Sequence, residues 1–129
     1  MKRGFTLLEV MAAVMILSIA MVVLIRAQTE SLNAVLRVQN YERAVFITEN
    51  QLHWTLLDLN EAEHWSEYAE LSGDDGDYDW QVLIDEASME MESDTHTVML
   101  RIVAETSWPD GRGRSSYQLT TYYLWGEDE

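Results

Sequence analysis

One carboxylate stands out because of its surroundings. Residues 5–25 read FTLLEVMAAVMILSIAMVVLI, in which only Thr6, Glu9 and Ser18 are polar and neither Pro nor Gly occurs. A charged side chain costs about 2.5–3.5 kcal/mol at the centre of a bilayer, less towards its edge, and is seldom kept there without a partner. Glu9 therefore implies either a cation that meets it within the apolar layer or a shallow position, where it complements the positive end of a helix.

Other residues of chemical interest are fewer. Asp75, Asp77 and Asp79 repeat at alternate positions beside Asp74 and Glu86, an oxygen-rich stretch of the kind calcium uses. An EF-hand loop would need Gly where Trp80 stands, so the plain alternative is a solvated acidic turn, with calcium the sharper reading of these three aspartates. His53, His64 and His96 lack zinc spacing, and there is no cysteine to help them or to form a disulfide. No Ser-His-Asp set, glycine-rich phosphate loop or paired catalytic carboxylates can be singled out, so no enzymatic role and no obligate cofactor are expected.

The elements that must position these groups follow from periodicity. At about 1.5 Å per residue the 5–25 run spans roughly 30 Å, a bilayer's hydrocarbon thickness, and it reads as a transmembrane helix. Lys2 and Arg3 precede it, which places the front in the cytoplasm and the remainder outside the inner membrane, in the periplasm of a Gram-negative cell. No Pro or Gly occurs from Phe5 to Leu71, and Tyr41, Val45, Thr48, Leu52, Leu56 and Leu59 recur at steps of three or four. One helix should thus continue to about residue 60, its second half lying on a sheet. Alternating patterns predict strands at about 78–86, 97–106 and 117–125, with Asp74–Asp77 as an entry loop and residues 107–116 as a hairpin loop. The fold class is α+β: a long helix on an antiparallel sheet of three or more strands. Trp54, Trp80 and Trp125 are expected in the core, whereas Trp65 and Trp108, in predicted loops, are the interface candidates.

Charge is unevenly divided. Residues 1–43 hold five Lys and Arg against three Asp and Glu, and residues 44–129 hold three against twenty, so the outer domain carries about −17. Such a field repels phosphate backbones, and no nucleic acid partner is expected.

The run Lys2-Arg3-Gly4-Phe5-Thr6-Leu7-Leu8-Glu9 resembles the leader junction of type IV pilins and type II secretion pseudopilins. The resemblance implies that a prepilin peptidase cuts between Gly4 and Phe5 and that Phe5 becomes the methylated amino terminus. Residues 1–4 would then be a leader, 5–25 the single-pass anchor and 26–129 the periplasmic pilin-like domain. A freshly exposed amine on one subunit could neutralise Glu9 of its neighbour, where either charge alone would be expensive.

Within that family, the absence of cysteine and the presence of Arg26 where many type IV pilins carry proline favour the pseudopilins. Glu49-Asn50-Gln51-Leu52 and Tyr78-Asp79-Trp80-Gln81-Val82 are similar to the I-type minor pseudopilin. That resemblance implies J- and K-type minor partners, a major pseudopilin and an inner-membrane assembly platform. A minor type IV or competence pilin is the nearest alternative, and a membrane-anchored periplasmic binding module is the alternative from another class.

Overall fold

The computed structural model describes residues 4–87 and 97–126; Lys2, Arg3 and His96 lie outside the described residues. The elements are helix α1 (Leu7–Glu61), a 3-10 turn (Trp65–Tyr68), and strands β1 (Glu70–Asp75), β2 (Tyr78–Glu86), β3 (Thr97–Asp110) and β4 (Gly113–Gly126). The chain divides into two compact units, Met1–Gln39 and Asn40–Glu129.

In the first unit no residue of α1 is buried, and the helix is long and apolar enough to cross a membrane. An apolar run such as residues 7–25, with no residue buried against protein, needs a solvent other than water, which is the condition a bilayer supplies.

In the second unit the end of α1 lies on a four-stranded antiparallel sheet of order β1-β2-β3-β4. Thr48, Leu52 and Leu59 are buried and Val45 and Leu56 half-buried, so the expected face meets the sheet except at Tyr41, which stays exposed; Ala44, Ile47 and Thr55 join it. From the sheet, Val82, Ile84, Leu100, Ile102, Ala104 and Trp125 pack with Leu52 and Leu59. A second cluster of Ala44, Ile47, Tyr78 and Trp108 adjoins the first, with Trp80 packed against both.

A polar pair is buried in the same helix–sheet interface. The Thr48 hydroxyl donates to the Ala44 carbonyl at 2.8 Å, which leaves its oxygen to accept from the Thr106 hydroxyl at 2.7 Å. Both threonines are almost fully buried. A hydroxyl out of water stabilises only when it is paired, so the pair fixes where α1 sits along β3.

Three expectations are corrected. The sheet of three or more strands has four, and its first strand, β1, takes in Asp74 and Asp75 of the expected entry loop, leaving the turn to Gly76 and Asp77. Trp80 opposes Gly73, and a Cβ there would lie 2.5 Å from the indole, so this strand needs a residue without a side chain. Next, the hairpin loop expected over 107–116 shrinks to Gly111-Arg112, because β3 and β4 pair out to Asp110 and Gly113; Gly111 takes φ of +62°, as Gly76 takes +64° in the β1–β2 turn. Finally, the tryptophans exchange places. Trp108 is buried at 5% exposure, stacked on Tyr78, and Trp65 is half-buried against the core, whereas Trp54 is 56% exposed on the outer side of α1.

Thr48→Val should cost about 1–3 kcal/mol, because it strands the Thr106 hydroxyl without an acceptor, whereas the double replacement T48V/T106V should cost less than the sum of the singles. Denaturant unfolding of the full chain in detergent, run as a double-mutant cycle, measures this; additive losses would rule the coupling out.

Candidate processing and assembly site

The site is assembled by the first turn of α1. Gly4, Phe5 and Thr6 precede the helix in non-helical backbone, and all three are exposed. Nothing lies within 4 Å of where a Gly4 Cβ would be, and Phe5 is 87% exposed. Among the described residues, nothing crowds the peptide between them.

Thr6 and Glu9 lock the helix start reciprocally. The Glu9 amide donates to Thr6 Oγ1 at 3.3 Å, and the Thr6 amide donates to Glu9 Oε2 at 3.2 Å. The first helical hydrogen bond runs from the Val10 amide to the Thr6 carbonyl at 3.2 Å. This is a capping box, with Thr6 at the N-cap and Glu9 as its third helical residue. Two of the four amides a helix start leaves unsatisfied are thereby answered, and the carboxylate lies at the positive end of the helix dipole.

That arrangement adds something the composition of the run does not convey. Glu9 has a partner within its own chain, which lowers the cost of holding it beside apolar surface. One amide does not exhaust a carboxylate, whose two oxygens offer about four lone-pair sites. The remaining capacity faces an open groove of about 550 Å³ lined by Phe5, Glu9, Val10, Ala13, Val14 and Leu17. A groove that is apolar except for one acid suits a helix presenting a cation among aliphatic side chains. The signal for the box, Thr6-Leu7-Leu8-Glu9, is plain in the sequence but is overshadowed there by the question of how a carboxylate survives in an apolar run.

Residues 1–25 match the family described as the prokaryotic N-terminal methylation motif. The chain has a prepilin-type N-terminus and a pilin-like fold. Comparison with curated proteins and with solved structures found no match.

The three alternating aspartates behave differently from the first-turn residues. Asp75 ends β1 and reaches Arg43 of α1 at 3.7 Å, Asp77 lies in the hairpin turn, and Asp79 on β2 takes a 2.7 Å bond from Arg114. Two of the three are thus directed to arginines, and among the described residues no group of three His, Cys, Asp or Glu could hold a metal ion. His53 is exposed beside Trp54, and His64 occupies the position before the 3-10 turn without a side-chain bond to it, so these two belong to different elements.

Thr6→Ala should cost the helix start about 1 kcal/mol, and Thr6→Ser should restore it, because only the hydroxyl is needed. Amide exchange over Leu7–Val10 of the micelle-embedded chain reads the effect; equal protection in all three proteins would remove the capping box from consideration.

Proposed function

We propose that this chain is a minor pseudopilin of a type II secretion system, an I-type subunit of the filament tip that initiates assembly for protein export across the outer membrane. The observation that carries the reading is a prepilin-type junction at Gly4–Phe5 followed by Glu9, held at the head of an exposed apolar helix. The similarity of residues 49–52 and 78–82 to the I-type subunit supports the finer assignment, with J- and K-type minor pseudopilins and the major pseudopilin as partners.

Prepilin peptidase cuts between Gly4 and Phe5, removing Lys2 and Arg3 and creating an amine at Phe5, which is then methylated. Thr6 N and Oγ1 and the Glu9 carboxylate are all on the retained side, so the capping box outlasts the cut. The spare acceptor capacity of Glu9 meets the Phe5 amine of an adjacent subunit. Bringing two opposite charges together in a low-dielectric layer offsets the penalty each would meet alone. The platform then draws the paired subunit outward, with the anchor leaving lipid for a bundle of like helices. The outer side of α1 in the periplasmic unit fits this packing: Phe46, Trp54 and Leu57 are exposed at helical spacing, away from the sheet. Nothing in this scheme asks the chain to catalyse a reaction.

Two measurements test the proposal. The intact mass of membrane-extracted protein should show loss of residues 1–4 and gain of one methyl group; an uncut, solitary chain would end the reading. Glu9→Gln separates charge from capping, because glutamine at this position still closes a capping box. Helix-start protection should persist in this variant while co-purification with pilin-like partners falls at least tenfold, and undiminished co-purification would eliminate the charge pairing.

A further inference from the structure

The side of the sheet turned away from α1 is not uniform. Cross-strand partners share a face, so the pairings place Glu70, Leu83, Val103 and Thr120 in one outward row, Asp85, Arg101 and Tyr122 in the next, and Met99 with Leu124 in a third. With strands about 4.8 Å apart and same-face residues about 7 Å apart along a strand, these side chains are contiguous. Leu83, Tyr122 and Leu124 are 42%, 57% and 54% exposed. An antiparallel sheet facing water alternates apolar-in and polar-out, so apolar residues on both faces of β2, β3 and β4 depart from what solvation alone selects.

The surroundings of this island are acidic. Both arginines of the face are committed to aspartates, Arg101 to Asp85 through Nε at 3.0 Å and a second contact from its terminal nitrogen, and Arg114 to Asp79 at 2.7 Å. The Asp85 hydrogen bond, with its charge, raises the Arg101 pKa further above its ordinary value. Glu70, Asp74 and Glu105 remain on this face without a cationic partner among the described residues. Two copies of such a face would bring like charges together on domains that each carry about −17.

We propose that this outer sheet face docks a different protein, one whose contact surface is apolar at its centre and basic at its rim. The apolar residues supply the desolvated middle and the unpaired carboxylates choose the partner's sign, the usual division between the core and rim of an interface. The proposal goes beyond filament assembly, which uses the helix, and it does not require that reading to hold.

The test uses the full chain in its own membrane, with a photo-crosslinking amino acid replacing Tyr122 and adducts identified by mass spectrometry. The expected adduct is a different protein with a Lys- and Arg-rich contact region. Its yield should fall several-fold in Leu124→Ser and in Glu70→Lys with Glu105→Lys, rise in Arg101→Glu, and decline as salt increases. Release of residues 1–4 and recovery of pilin-like partners, read on the same samples, should be unchanged, which separates failure here from failure of the assembly reading. An adduct with a second copy or with lipid, no adduct at all, or charge substitutions acting in the opposite sense would overturn the proposal.

Discussion

A carboxylate at the head of an apolar helix persists only while something answers its charge, and the front of this molecule is arranged around that constraint. The Thr6 amide gives Glu9 a first partner within its own chain. That bond is local and its donor carries no net charge, so it holds the side chain in position without cancelling the charge. A protein needing only a quiet anchor would have no use for the residue, and a protein needing only a helix cap could use a neutral one. The combination of a fixed geometry with an unspent negative charge is what the proposed pairing with a neighbour's amine would require.

The second unit meets a different constraint. Its helix lies across a small sheet whose apolar residues could accept several offsets along β3. Leu52 and Leu59 drive the packing, but hydrophobic contact is not directional. The Thr48–Thr106 bond is directional, because displacement by one turn would leave the Thr106 hydroxyl buried and unpaired while Thr48 kept its bond to the Ala44 carbonyl. Packing therefore supplies affinity between layers, and one hydrogen bond supplies the address.

Much of this was legible in the sequence, for reasons that differ along the chain. The helix follows from the absence of Pro and Gly over more than sixty residues and from spacing that places Thr48, Leu52 and Leu59 on one face. The strand at 78–86 matches β2 residue for residue, because Tyr78, Val82 and Ile84 alternate against exposed partners. β1 was hidden, since Glu70-Leu71-Ser72-Gly73-Asp74-Asp75 holds one large apolar residue, and its glycine makes sense only when Trp80 is seen across from it. Trp108 was masked by Pro109. β2 ends opposite Ser107, so this proline falls where β3 has a neighbour on one side only and a missing amide is harmless. Trp54 shows the opposite failure: a helical tryptophan is ordinarily core, and only the sheet's position reveals that it points away. In the site, the junction and Glu9 were readable as residues, while the bond joining Thr6 to Glu9 was spelled in the sequence but obscured by the stronger membrane signal.

The helix begins at Leu7, two residues beyond the Gly4–Phe5 peptide. Proteases bind their substrates as extended chain, and a scissile bond inside a helix must wait for local melting before it can be attacked. Here the backbone at the junction is already outside the helical ladder, while the capping box keeps fraying from spreading inward. Under the proposed processing, the leader is a detachable fuse: trimming it alters the terminal charge and leaves both Thr6–Glu9 bonds on the retained side.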